Sequence, residues 1–197
     1  MRRLALALAI VCAATSAGHA ASNWEIDPAH TSAQFAVKHL MVSTVRGTTG
    51  AVTGTAVFDE ADISKSSVQA TIDVAGVDTR EPKRDAHLKS PEFLDAAKFP
   101  TITFKSKQVA AVAPDRFKIT GDLTIRGVTK EVTLDVEGTP KPLNDPFGKV
   151  RIGGSARARI NRQDFGVNFS KTMDNGGLVV GNDVDVTIDV ELVKKAQ

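Results

Sequence analysis

The sequence predicts an all-β protein with a small helical insert, its antiparallel strands arranged as a sandwich or a barrel. Three observations predict it. Apolar and polar residues alternate with a period of two through most of the chain, the pattern of half-buried strands. Short turn signals, among them Pro114-Asp115, Arg126-Gly127, Asn175-Gly176-Gly177 and Gly181-Asn182, separate these runs. One stretch breaks the alternation and carries helix-start residues instead.

The opening twenty residues, MRRLALALAIVCAATSAGHA, follow another logic. Two arginines precede an apolar run and a small-residue end at Gly18-His19-Ala20, the layout of a secretory signal peptide cleaved after Ala20. The run is shorter than the roughly 20 apolar residues that span a bilayer. Its removal leaves 177 of the 197 residues, without the single cysteine (Cys12) and without Arg2 and Arg3. Lys+Arg then falls from 25 to 23 against 23 Asp+Glu. A chain of that size buries a core without disulfides, and neutral balance removes the electrostatic case for nucleic acid. The expectation is one domain over residues 21–197, periplasmic or secreted.

The strands follow in order. In DPAHTSAQFAVKHL, residues 27–40, Ala33, Phe35, Val37 and His39 share one side, while His30, Ser32, Gln34 and Lys38 share the other. In GAVTGTAVFD the face of Val52 and Phe58 carries Gly54 and Ala56. Val68, Ala70, Ile72 and Val74 form the next stripe. Residues 78–100 read as two short helices: Thr79 can cap the first, Ser90 followed by Pro91 starts the second, and Pro100 stops it. Leu88, Phe93, Leu94 and Phe99 of this insert need an apolar surface, and the sheet is the only large one. Phe117, Ile119, Leu123 and Ile125 share a face, as do Val132, Leu134 and Val136. Residues 138–149, with three prolines and two glycines, read as a loop with Phe147 near its tip. Val45-Arg46-Gly47 and Ile125-Arg126-Gly127 echo each other and both read as hairpin turns. The final stripe, Val184, Val186, Ile188, Val190 and Leu192, is the clearest.

The inward residues of several strands are small at mid-length. Gly154, Ala156 and Ala158 lie between Ile152 and Ile160, repeating what Gly54, Ala56 and Ala70 do elsewhere. A close-packed interior tolerates few voids, so insert residues or a ligand must fill the space, unless the pattern only fits a barrel's taper.

Catalytic chemistry finds little support. His30 and His39 sit on opposite faces, roughly 30 Å apart along an extended strand, so they cannot share an ion. A metal site would have to recruit His87 with carboxylates such as Asp85. No H-x-x-H or HExxH spacing exists. Ser90 near His87 and Asp85 is explained as a cap, and Gly153-Gly154-Ser155 lacks the rest of a phosphate loop. The chain therefore reads as a non-enzymatic protein with no cofactor.

WEIDPAHTSAQFAVKHLMVSTVRG, VDT with RDAHLKSPEFLDAAKFPTITFKS, ITGDLTIRGVTKEVTLDV, and NRQDFGVNFS before GNDVDVTIDVEL resemble, in order, the motifs of the YceI-like, lipocalin-like polyisoprenoid-binding proteins. The resemblance spans nearly the whole mature chain, departing from the family pattern at Thr48-Thr49, where an aromatic is usual. It implies a closed antiparallel lipocalin-like β-barrel with a helical insert, and an apolar tunnel for an isoprenoid-like lipid of the quinone or prenyl phosphate type. Binding of that kind gains about 0.8 kcal/mol gross per buried methylene and leaves no catalytic signature.

The expected walls are Phe35, Val37, Phe104, Phe165 and Phe169 with Gly154, Ala156 and Ala158. Phe93 and Leu94 are expected to close the lumen from the insert, and His39 to offer a polar contact inside. Arg162 is a weaker headgroup candidate, for which a surface charge at a strand end is the plainer reading. A carrier of this kind is compatible with transient contact with a membrane or membrane protein, and with a homodimer. The alternative class is an electron-transfer accessory module binding haem or metal through His39 or His87.

Overall fold

A computed structural model describes residues 21–196; the segment read as a signal peptide lies outside the described residues. In chain order the strands are β1 (Ser22–Ile26), β2 (Ser32–His39), β3 (Ser43–Thr48), β4 (Val52–Phe58) and β5 (Ser67–Asp73). Helix α1 (Pro82–Lys89) follows, then β6 (Thr101–Ala113), β7 (Arg116–Ile125), β8 (Val128–Asn144), β9 (Val150–Asn161) and β10 (Val180–Lys194). Every pairing is antiparallel. The open choice between sandwich and barrel resolves to a barrel: β1 and β4 to β10 form an eight-stranded ring, closed where Trp24 pairs with Lys194 and Ile26 with Leu192.

The β2–β3 hairpin continues along β10 where β1 stops, with Ala36 opposite Asp185 and Ala33 opposite Ile188. One long strand thus carries β1 and β2 end to end, joined by the turn at residues 27–31. Three apolar clusters stack along the ring. Trp24, Ala56, Phe58 and Ile152 occupy one end, with the Trp24 indole N–H donating to Ser22 Oγ at 2.9 Å. Ile26, Ala33, Val52 and Ile72 sit at the middle, and Phe93, Ile125, Phe165 and Val167 at the other end.

The insert covers that second end with one helix, not two. Pro82 restricts the residue before it to extended backbone, so Glu81 (φ −142°, ψ 99°) becomes the N-cap of α1 and Thr79 lies outside it. Thr79 is used differently: its N–H and hydroxyl both donate to Asp85 Oδ1, at 2.8 and 2.5 Å. Ser90 is the extended C-cap of α1, and residues 91–99 form successive turns. The Arg126 guanidinium, at the β7–β8 turn, donates to the Phe93 carbonyl and ties this segment to the barrel.

Three other expectations change. Residues 138–144 continue β8 against β9, with Leu143 opposite Arg151. Beyond Gly138 no strand flanks β8 on its other side, so a proline such as Pro142 leaves no ladder bond unmade; only the tip, with Phe147 87% exposed, is loop. Val45-Arg46-Gly47 lies within β3, and the β2–β3 turn falls at Leu40, Met41 and Val42, the first two at φ 51° and 60°. Gly181-Asn182 is no turn but an irregularity inside β10, where the register against β2 shifts between Val180 and Val184.

Candidate ligand-binding site

A cavity of about 370 Å³ runs through the barrel and touches all three apolar clusters. Its volume falls in the ordinary range for small-molecule sites. The inward stripes make its wall: Ile102 and Phe104 of β6, Ile119 and Leu123 of β7, Val132 and Val136 of β8, Val186 and Ile188 of β10. Leu88, Phe93 and Leu94 of the insert close one end.

The small residues divide into two kinds. Ala33, Ala56, Ala70, Ala156 and Ala158 line the cavity and leave room in it. Gly54 does not line it: a Cβ there would lie 2.0 Å from the Gln69 carbonyl oxygen, so backbone crowding between β4 and β5 requires glycine. Gly154 answers to both causes, since it lines the cavity and a Cβ would come 2.8 Å from the Glu137 oxygen.

Of the residues expected from sequence, Phe35, Val37, Phe93, Leu94, Phe104, Gly154, Ala156, Ala158, Arg162 and Phe165 come together around this space. Two do not. His39 keeps the expected parity, yet it pairs with Val180 at the edge of the β10 irregularity and lies off the lining. Phe169 stacks on Phe93, with ring centroids 4.7 Å apart, and so stands behind a wall residue. Thr49 lines the cavity and donates its hydroxyl to the Ala33 carbonyl at 3.4 Å. Gln34, expected outward, also reaches the lining. Alternation alone could not show either, because both lie where β2 and β3 leave the main ring.

Arg162 overturns its plainer reading. It is 6% exposed and is drawn inward by a 3-10 turn (Arg162–Phe165) that follows β9 directly. Asn161 caps the turn by accepting from the Gln163 N–H at 3.0 Å, and Gly166, at φ 74°, ends it. The guanidinium donates to the carbonyls of Gly181 (2.9 Å), Val167 (2.5 Å) and Val180 (3.2 Å) and to Asn182 Oδ1 (3.2 Å). Burial pushes its pKa below the ordinary arginine value.

The histidines are engaged elsewhere. His87 stands edge-on between Phe93 (4.9 Å) and Phe169 (5.2 Å), with its Nε2 bonded to Glu92. Among the described residues, the one set of three side chains close enough to share an ion is Asp27, His30 and Glu191. The Arg151 guanidinium donates to both carboxylates of that set and to Asp145 Oδ2 at 2.6 Å. Its positive charge stands where an ion's would, and its hydrogen bonds hold the Asp27 carboxyl well below the usual carboxylate range and lower that of Asp145. This is an ion-pair network on the outer face of the barrel.

A closed antiparallel barrel with an apolar lumen and a helical cover is the class that fold and site define. The comparisons narrow it: residues 24–192 match the YceI-like domain, and the chain belongs to that family. A UPF0312 protein of Staphylococcus aureus (strain N315) is 36% identical over 170 residues, covering 86% of this chain and 96% of that one. Burkholderia cenocepacia BcnA superposes with a TM-score of 0.71 at 25% identity, over 84% of this chain and 98% of that one. The Campylobacter jejuni YCEI protein gives 0.68 at 32% identity, over 81% and 90%. A polyisoprenoid binding domain from Saccharophagus degradans, at 14% identity, TM-score 0.62 and 87% and 98% coverage, shares the fold.

Proposed function

We propose that the protein binds an isoprenoid-like lipid in the barrel lumen and carries or sequesters it without chemical change. The continuous apolar cavity supports this reading above all. A prenyl chain needs volume and carbon walls, with few polar groups near one end. Membership of the YceI-like family and the fold shared with the Saccharophagus degradans polyisoprenoid binding domain point the same way.

The chain acts after export and cleavage at Ala20, in the periplasm or beyond. Its lipid is exchanged during transient contact with a membrane. The β2–β3 turn suits that contact, because Met41 and Val42 are 54% and 82% exposed beside Leu40. Three consecutive exposed apolar side chains at one turn tip can enter a lipid interface together.

Ala156→Phe tests the lumen assignment. Ala156 lies mid-wall between Val136 and Ile188, and a phenyl ring there fills cavity space. Overpacking costs about 1–3 kcal/mol, which the barrel survives. Lipids extracted from purified wild type and variant are compared by mass spectrometry, and the variant is expected to be depleted. Equal loading removes the lumen as the site.

A further inference from the structure

We propose that Arg162 is a headgroup site, so that the cavity selects an apolar-tailed amphiphile ending in one negative charge, a carboxylate or a singly ionised phosphate. The inference rests on the lumen being a lipid site and adds the chemistry of the lipid's polar end.

Three observations carry it. Arg162 is the single ionisable side chain lining the cavity among the described residues. Its four hydrogen-bond partners, three backbone carbonyls and the Asn182 amide oxygen, are all neutral. Among the described residues no carboxylate forms an ion pair with it. A guanidinium has five N–H groups, and the four contacts leave one hydrogen on Nη1 without an acceptor.

A buried cation without a counter-ion is costly, and proteins ordinarily pair it. Here the surrounding carbonyls hold the guanidinium in place without neutralising it. A ligand oxyanion on the open Nη1 hydrogen would supply both the missing acceptor and the missing charge. The balance is one to one: a second negative charge would find no partner along the apolar wall. A neutral quinone or alcohol would supply the acceptor but leave the charge. The acidic member of the proposed lipid class therefore fits better than the neutral one.

Tail-matched ligands test this on delipidated wild-type protein below pH ~6, where a phosphate monoester carries mainly one charge: farnesoic acid, farnesyl phosphate and farnesol, each titrated by calorimetry. At least one of the two acids is expected to bind about tenfold tighter than farnesol or more, since hydrogen bonds to charged groups exceed neutral ones by that order. Comparing the two acids separates a carboxylate source from a phosphate source. The acid-to-alcohol ratio is expected to persist in Arg162→Lys and to fall to about one in Arg162→Gln. Should these variants fail to fold, the wild-type ratio still decides. For farnesoic acid it must also collapse when the pH is lowered through the ligand's own pKa. Equal affinity for all three ligands overturns the headgroup site and leaves lipid binding standing. No binding of any of them overturns both.

Discussion

Strand β9 is flanked by two arginines in opposite electrostatic settings. Arg151, near its start, lies on the outer face among Asp27, Asp145 and Glu191. Arg162, just past its end, lies inside among neutral oxygens. Both tie distant segments together. Arg151 joins the β1–β2 turn, the β8–β9 loop and β10; Arg162 holds the chain after β9 against the start of β10. The difference lies in what remains unsatisfied. Arg151 is surrounded by three carboxylates and a surplus of negative charge, so no further anion is drawn to it. Arg162 keeps one unpaired donor and no counter-ion, at the lining of a ligand-sized space.

The largest expected effect breaks the inner arginine. Arg162→Leu leaves four acceptors without a donor in a buried site, and leaving such groups unmade costs about 1–3 kcal/mol each where no water replaces the donor. A loss of about 3 kcal/mol or more is expected by urea unfolding. A loss within error would mean that water reaches these carbonyls and that the site is wetter than its burial implies.

Next in size is Arg151→Met, which removes the centre of the outer network. Its groups border solvent, so the loss in unfolding midpoint should be smaller than that of Arg162→Leu. If it proves larger, the outer staple and not the inner clamp holds the two ends of β9.

The pH dependence sharpens the contrast. Asp27 and Asp145 are held below their ordinary pKa values when folded, chiefly by hydrogen bonds from Arg151. The unfolded chain then binds more protons over the acid range, so stability rises with pH there. Their contribution is complete above about pH 4–5 and is lost as pH falls below the unfolded carboxylate pKa of about 3.9. Thermal melts of wild type should therefore show an acid-side decline that is shallower in Arg151→Met. Arg162, with no carboxylate partner, should leave the shape of that limb unchanged on replacement by Lys.

The smallest effect is that of salt. Raising ionic strength screens partly exposed pairs more than buried groups, so modest salt should lower the melting temperature of wild type slightly more than that of Arg151→Met. Equal responses would indicate that the outer network contributes little under ordinary conditions.

The strand faces were legible in the sequence, because a strand with one buried face writes its burial into alternate residues. That local rule placed Phe35, Phe104 and Ala156 on the inner wall. It failed where position depends on more than parity. His39 follows the alternation but falls beyond the ring at an irregularity, and Phe169 is apolar yet backs another aromatic. Gly54 looked like part of a void and proved to be a close approach of two backbones.

Sequence alone determined the strand faces, the presence of an insert and the absence of catalytic spacing, since each depends on neighbouring residues. Tertiary structure decided between sandwich and barrel, because only pairing of the first strand with the last closes the ring. It also decided the fate of the two arginines. Both lie at the ends of one alternating strand, and nothing local separates a guanidinium among carboxylates from one among carbonyls. Segments more than a hundred residues away bring Asp27 to Arg151, while a one-turn reversal after β9 carries Arg162 inward to the lumen.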